Sequence, residues 1–542
     1  MEKALEMGKT SATGSFQLLI GVATSTIIMA AGTVILTRFL GKDNYGLYTL
    51  ALAPSIMINL FRDWGVNSAM TKRVAGLRAE NKELETCDIV TAGVAFEVIT
   101  GVTLSIICFL LAGFFASILN RPEIYPYISI MSITILSGSL LTAAQAGFIG
   151  YERMKLNSFT LICQAIVKTA VGPLLVILGY GILGAILGYT ASFIAAGAFG
   201  MAALYFMLYR PLSKKRKGRC SISETLKPML RYGLPLSIST ILLGLLTQFY
   251  SLMMGHYIPD TNIGNSMIGN YGAALNFAVL LTFLTVPIGT VLFPAFAKLD
   301  THNEQELIKT VFASSVKYTA ILLMPATMIV MSLSTPIVNT LFGETYSYAP
   351  LFLALYVISN LYAAAGSLTL GSFLTGLGET RMVAKQAVLT LIIGLSLGFI
   401  LIPNFGVFGA VIGTIVGTLL AGVPSLVWGL HWIWKRYEAK AELASSLRIL
   451  AASAFAAIIS FLTTIVLQTH AWIQLVIGTA TFLISYILAA PLIGAVTQSD
   501  IDTLRIMFSG LGAVSRIVNI PLRVAERVAQ FKSANKKADK ES

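Results

Sequence analysis

The stretch from residue 89 to residue 119 reads IVTAGVAFEVITGVTLSIICFLLAGFFASIL and contains one charged residue, Glu97. A helix needs about 20 apolar residues to cross the roughly 30 Å hydrocarbon core of a bilayer, so this stretch predicts a membrane-spanning helix. Four basic residues precede it within 70–88, whereas Arg121 alone follows it in the next connection. This difference predicts its orientation, because connections rich in Lys and Arg remain in the cytoplasm.

Fourteen such stretches fill the chain. We predict spans at 15–37, 46–69, 89–119, 124–149, 157–179, 182–209, 232–255, 270–297, 313–338, 348–375, 386–402, 405–430, 447–468 and 472–495. Of the 38 Lys and Arg residues, 33 lie at the termini and in alternate connections, and the other connections carry Arg38, Lys42 and Arg121. The sequence therefore predicts an all-α polytopic protein of the cell membrane, with both termini in the cytoplasm.

Composition excludes several classes of protein. The 542 residues are 56% hydrophobic and 12% charged, as expected for a chain embedded in a bilayer. Basic loops facing anionic lipid headgroups explain the net charge of +13, so we predict no nucleic-acid partner. Four cysteines without C-x-x-C spacing predict neither a disulfide framework nor a metal site. The chain has no phosphate-binding glycine loop of the G-x-x-x-x-G-K-[ST] type, and we expect no cofactor.

A weak internal duplication divides the chain. Three pairs of matching segments are separated by about 226 residues: 44–46 with 270–272, 150–154 with 378–382, and 180–188 with 405–413. Each half contains an even number of predicted spans, so the repeats run parallel, and transporters built in this way carry substrate between their halves. We predict two pseudo-symmetric six-helix bundles, a basic linker, two further helices and a cytoplasmic amphipathic helix. The bundles comprise 15–209 and 232–430, and the linker between them is 210–231. The two further helices lie within 447–495, and the amphipathic helix is 500–533.

An ordered set of short motifs between residues 15 and 430 resembles the polysaccharide-export flippases of the multidrug/oligosaccharidyl-lipid/polysaccharide exporter superfamily. The motifs are Arg38-Phe-Leu-Gly41-x-x-x-Tyr45-Gly46-x-Tyr48, Asp63-Trp-Gly65 with Arg73, Tyr271-Gly-Ala-Ala274 through Leu292-Phe-Pro-Ala295, Phe342-Gly343-x-x-Tyr346, and Ile402-Pro403-x-Phe-Gly406-x-x-Gly409-Ala410. The resemblance implies a two-lobed MATE-like fold and a flippase rather than an enzyme.

The resemblance also implies a cargo. Such a flippase moves a polyprenyl- or dolichyl-(di)phosphate-linked oligosaccharide from the cytoplasmic to the outer leaflet by alternating access, for cell-surface polysaccharide or glycan biosynthesis. Membrane lipids surround it, and glycosyltransferases or a polymerase of the same pathway are candidate partners. The chain lacks the arginine cluster that peptidoglycan-precursor flippases carry early in their first helix, which favours another glycan.

Four ionisable residues lie inside predicted spans of the first half: Arg62, Asp63, Glu97 and Lys168. Each costs several kcal/mol in hydrocarbon unless it faces water, protein or a partner, so each is a candidate functional residue. In one interpretation Arg62 and Lys168 bind the anionic headgroup, with Glu97 or Asp63 in ion coupling. In the other, Glu97 pairs with Lys168, and Arg62 and Asp63 reach the interface. Arg38, at the predicted outer mouth, is a third candidate for substrate binding or a loop anchor.

The sequence also leaves other functions open. A multidrug or cation antiporter of the same fold would require a compact acidic cavity, and a basic pair suits an anionic headgroup better. A phospholipid scramblase is compatible with the composition. A membrane glycosyltransferase or polymerase requires substantial external loops. The longest predicted external connection, His256 to Gly269, is too short for such a domain.

Overall fold

The structure, a computed structural model, describes residues 2–80, 82–214, 221–281, 304–509 and 519–528, with isolated positions at 285, 292, 296 and 530. Every regular element in these ranges is helical. In chain order, the α-helices are α1 (Glu2–Asn59), α2 (Val66–Ala79), α3 (Thr86–Ile118), α4 (Tyr125–Met131), α5 (Ile133–Gly150), α6 (Met154–Leu175), α7 (Gly181–Ala203), α8 (Arg210–Ser213), α9 (Ile222–Tyr257), α10 (Asn262–Ala278), α11 (Gln305–Ser332), α12 (Ser334–Leu341), α13 (Ala349–Tyr356), α14 (Ser367–Gly376), α15 (Thr380–Leu401), α16 (Gly406–Ala421), α17 (Val423–Tyr437), α18 (Leu443–Val466), α19 (Ala471–Ile493) and α20 (Gln498–Ser509).

Ten helical segments among the described residues are long and apolar enough to cross a membrane, or eleven if the pair Ala349–Ala365 and Ser367–Gly376, bent by 55°, counts as one more. Two of the ten are much longer than a single crossing. Ile20–Asn59 has 40 residues and Met154–Ser213 has 60, or about 60 and 90 Å of helix at 1.5 Å per residue. The all-helical, multi-pass fold is thereby confirmed, whereas the number fourteen and the two six-helix bundles stay predictions.

Glycine breaks explain why the number of segments differs from the number of predicted spans. Each long segment contains two predicted spans, and the backbone leaves helical geometry between them at Gly41 (φ 72°) and at Gly179 (φ 94°). Glycine adopts a positive φ without the steric penalty of a Cβ atom. Residues 270–281 of the predicted span 270–297 are helical, and most of its remaining residues lie outside the described residues.

The chain folds as two compact units, one comprising Met1–Asn276 with Ala384–Gly422 and the other Phe277–Val383 with Val423–Ser542. Met70, Phe148 and Met229 are fully buried in a core of the first unit that joins α2, α5 and α9. In the second unit, Met324 and Ile449 lie in a core that joins α11, α18 and α19. The predicted domain bounds rest on the internal duplication and stay predictions.

The described parts of the predicted amphipathic segment 500–533, α20 and residues 519–528, are helical and partly packed on the second unit. Ile501 is fully buried in the core with α11, and Asp500 forms an ion pair with Lys317 at 2.7 Å. Arg505 joins the two helical pieces through Glu526 at 2.7 Å. The inner-leaflet location of this segment stays a prediction, and its residues 510–518 and 531–533 lie outside the described residues.

Arg121 fixes the connection between α9 and α10 in the first unit. Its side chain is fully buried, and its carboxylate neighbour Asp260 lies 3.7 Å away. The guanidinium donates hydrogen bonds to the backbone oxygens of Leu119, Gly255 and Ile258 and to Asn265 Oδ1. Hydrogen bonds from a buried ion are among the stronger polar contacts in proteins, so Arg121 ties the end of α3 to this connection.

We expect Arg121→Ala to lower the free energy of unfolding by about 3–5 kcal/mol, because it strands several buried acceptors. Thermal unfolding of the purified protein in detergent measures the effect. The matched control is Arg153→Ala, which removes an exposed arginine of the same unit and should change stability by about 0.5 kcal/mol at most. Equal melting temperatures for the two variants would contradict a structural role for Arg121.

Candidate functional site

The candidate site forms where the predicted span 46–69 is interrupted. Helix α1 ends at Asn59 and α2 begins at Val66, and Arg62 and Asp63 lie in the break. Gly65 follows with φ 77°, a conformation suited to glycine. The prediction of one continuous helix over 46–69 is wrong, because the helix is interrupted between Asn59 and Val66. Two charged residues and a left-handed glycine lie in this interruption.

Arg62 is buried beside Glu97 of α3. The distance from Arg62 Nε to Glu97 Oε2 is 3.4 Å, and the two residues are 6% and 0% exposed. Glu97 Oε1 accepts a hydrogen bond of 2.7 Å from Asn67 Nδ2 of α2. The structure thus compensates two buried charges with each other, as a low-dielectric interior requires.

Asp63 holds the start of α2. Its Oδ1 accepts a hydrogen bond of 2.8 Å from the backbone N–H of Asn67, and a carboxylate at a helix N-terminus is electrostatically favourable. Asp63 also lies close enough to Glu97 for the two carboxyl groups to interact. Three of the predicted residues, Arg62, Asp63 and Glu97, are therefore brought together around Asn67.

Several buried polar atoms of this cluster lack a hydrogen-bond partner in the part of the chain that the structure describes. They are Arg62 Nε and Nη1, Asn67 Oδ1 and Glu97 Oε2. Buried polar atoms are nearly always hydrogen-bonded to protein or water. Arg62 Nε faces Glu97 in the ion pair, whereas Nη1 lies beside Gly138 of α5 and near Phe193 of α7, in the interior of the unit.

Lys168 occupies a separate place. Its Nζ lies 5.0 Å from the centroid of the Tyr189 ring, which joins α6 to α7 through a cation–π contact. The basic partner of Glu97 is Arg62, so the alternative pairing of Glu97 with Lys168 does not form. Arg38 is exposed on α1 just before the break at Gly41. The described contacts do not join Lys168 to the Arg62 cluster.

Sequence reasoning missed Asn67 as the residue that links Asp63 to Glu97. The available signal is the Asp63 carboxylate just before a helix start, because side-chain oxygens there accept from the free backbone N–H groups of the first turn, where Asn67 lies. Thr142 of α5 accepts a longer hydrogen bond of 3.4 Å from Asn67 Nδ2. No group of three His, Cys, Asp or Glu side chains that could hold a metal occurs among the described residues.

Long apolar helices around a buried ionic cluster define this chain as an all-helical, multi-pass membrane protein. The chain belongs to the polysaccharide biosynthesis protein family, whose model matches residues 11–300, more than half of its length. This membership confirms the predicted family and the prediction that the protein is a transporter and not an enzyme.

Two relatives and one solved structure show how the similarity is distributed. The probable low-salt glycan biosynthesis flippase Agl15 of Haloferax volcanii is 22% identical over 74% of this chain and 80% of its own length. The lipopolysaccharide biosynthesis protein WzxC of Escherichia coli K12 is 24% identical over 73% of this chain and 75% of its own length. The fold resembles that of the lipid II flippase MurJ in an inward closed conformation, with a TM-score of 0.68, 16% identity, and 86% and 97% of the two chains covered.

A double-mutant cycle tests whether Arg62 and Glu97 compensate each other. We expect Arg62→Met and Glu97→Gln each to destabilise the protein, by about 3–5 kcal/mol for Arg62→Met, which leaves a carboxylate without its buried partner. The double variant should be destabilised by less than the sum, with a coupling of about 1–3 kcal/mol. Thermal unfolding provides the measurement, and additive losses would show that the two side chains do not interact.

Proposed function

We propose that this protein is a flippase that moves a polyprenyl- or dolichyl-(di)phosphate-linked oligosaccharide from the cytoplasmic to the outer leaflet by alternating access. The observation that supports this proposal is the buried guanidinium of Arg62, whose Nη1 has no hydrogen-bond partner among the described residues. A guanidinium is suited to bind phosphate because its N–H groups match phosphate oxygens in pairs. The isoprenoid tail would remain in lipid during the movement.

In this proposal the charged residues have distinct roles. Arg62 binds a headgroup phosphate, and Glu97 holds the guanidinium in place before the substrate arrives. Lys168, stacked on Tyr189, and Arg38, near the predicted outer mouth, supply positive charge along the path. Glu97 and Asp63 remain candidates for ion coupling, since a carboxylate released by Arg62 becomes free to take up a cation or a proton.

Energetics do not require that coupling. One charge moving across the membrane is worth about 2.3 kcal/mol per 100 mV, so an anionic headgroup leaving an inside-negative cell moves with the field. Use of the glycan on the outer face would also keep its gradient downhill. Glycosyltransferases that build the cargo, or a polymerase that uses it, are the partners we propose, in a cell membrane with both termini cytoplasmic.

Relatives support the cargo class. Agl15 is described as a glycan biosynthesis flippase, and WzxC takes part in lipopolysaccharide biosynthesis. The fold is shared with a multidrug transporter of the MATE family at a TM-score of 0.59 and 15% identity, so fold alone does not choose the substrate. Arg62, whose Nη1 has no hydrogen-bond partner among the described residues, gives the site a donor for an anion, which the cation site of an antiporter would not need.

Transport in proteoliposomes tests the proposal. We expect the purified protein to move a fluorescent lipid-diphosphate oligosaccharide between leaflets, without effluxing cationic drugs or mixing labelled phospholipids. Arg62→Ala should slow the movement about 30- to 100-fold, since a hydrogen bond to a charged group is worth about 2–3 kcal/mol. Lys168→Ala should slow it less, because its contact with Tyr189 places it outside the cluster.

Two results would overturn parts of this account. The control Arg153→Ala, at an exposed arginine, should keep the wild-type rate. Unchanged transport by both Arg62→Ala and Lys168→Ala would refute the site. Drug efflux or phospholipid mixing without glycolipid movement would refute the function.

A further inference from the structure

Helices α1 and α2 touch α9 and α10 at two points where backbone meets backbone. Gly65 and Gly233 face each other so closely that a Cβ atom added to either would collide with the other's carbonyl group. Gly46 and Gly269 form a second such contact, in which an added Cβ would collide with the backbone of the opposite helix. Such approaches need glycine, and they close the gap between the helices at both places.

The two contacts lie on opposite sides of the predicted topology. Gly65 and Gly233 are next to the connections 70–88 and 210–231, both predicted to be cytoplasmic, whereas Gly46 and Gly269 border connections predicted to be external. The helical stretch from Gly46 to Asn59 is about 21 Å long at 1.5 Å per residue, or about two-thirds of the hydrocarbon core. In this state the segments α1–α2 and α9–α10 are in backbone contact on both sides of the predicted topology.

Neighbouring side chains reinforce the two glycine contacts to different extents. Beside the external contact, the buried Arg121 guanidinium binds Gly255 O, Ile258 O and Asn265 Oδ1. Beside the cytoplasmic contact, Lys72 Nζ lies 4.2 Å from the centroid of the Tyr232 ring, and both side chains are exposed. An exposed cation–π contact is much weaker than several buried hydrogen bonds from a cation.

A polar cavity of about 730 Å³ adjoins the weaker contact. Lys72 and Tyr232 line it together with acidic residues that include Glu80, Glu85 and Glu224. The excess of carboxylates makes it a poor site for a phosphate. Water that fills such a cavity would reach the Lys72–Tyr232 contact, which lies a short way along the chain from Gly65 and next to Gly233.

We propose that the Gly65–Gly233 contact, latched by Lys72 on Tyr232, is the cytoplasmic gate of the Arg62 site and opens before the external contact does. This inference rests on the proposed function for its purpose, namely loading of a headgroup from the cytoplasm. Its geometry does not depend on which lipid is carried. The two glycines allow the backbones to meet in the closed state. The weak contact of Lys72 with Tyr232 sets how often the gate opens.

Thiol labelling tests the gate without any substrate. Thr142→Cys places a thiol beside Asn67, in a full-length chain whose native Cys87, Cys108, Cys163 and Cys220 are replaced by Ala. A membrane-impermeant thiol reagent is applied separately to each face of membrane vesicles. We expect Tyr232→Ala and Lys72→Gln to speed labelling from the cytoplasmic face about two- to fivefold, the change that loss of such a contact gives.

Two further variants complete the test. Gly233→Ala, whose Cβ would push the backbones apart, should speed cytoplasmic labelling at least as much. Tyr257→Ala is the matched control, because Tyr257 is 43% and Tyr232 is 44% exposed at opposite ends of α9, and it should leave cytoplasmic labelling unchanged. Unchanged rates in Tyr232→Ala and Lys72→Gln, or an equal rise in Tyr257→Ala, would overturn the gate. Failure of glycolipid transport with the labelling pattern intact would refute the proposed cargo alone.

Discussion

A positive charge buried among membrane helices has to be compensated, and this constraint organises the first unit. Arg62 is 6% exposed, and Glu97 lies 3.4 Å from it. Glu97 in turn depends on Asn67, whose own backbone is held by Asp63. Because the helix is interrupted between α1 and α2, Arg62 lies inside the first unit. In an uninterrupted helix, the helical repeat would set its direction instead. The helix break and the buried Arg62–Glu97 ion pair therefore depend on each other.

Glycine provides the second constraint. At Gly65 and Gly233, as at Gly46 and Gly269, helices meet without intervening side chains, so small movements can separate or join them. Contacts of this kind contribute van der Waals packing and few directional bonds. Directional bonds are concentrated instead at Arg121, on the predicted external side. Because these hydrogen bonds lie at one end of the first unit, its predicted external side is held more firmly than its predicted cytoplasmic side. This difference suits loading of a substrate from the cytoplasmic face of the membrane.

The sequence predicted the multi-pass helical fold, because apolar length is a property of single stretches, and it predicted the family because an ordered set of motifs resembles that family. It also selected Arg62, Asp63 and Glu97, since charge within an apolar run is visible without coordinates. The pairing of Glu97 with Arg62 was not predictable, because both Arg62 and Lys168 were plausible partners and the helix break at 60–65 alters the angular position of each residue. Arg121 was overlooked for a similar reason, as its acceptor Asn265 is far away in the chain.

A structure of the protein with bound lipid-linked oligosaccharide, determined by electron cryo-microscopy in nanodiscs, tests the central claim most directly. The account predicts headgroup phosphate within hydrogen-bonding distance of the Arg62 guanidinium, with Glu97 moved away from it. A headgroup bound elsewhere, with Arg62 and Glu97 still paired as they are here, would contradict it.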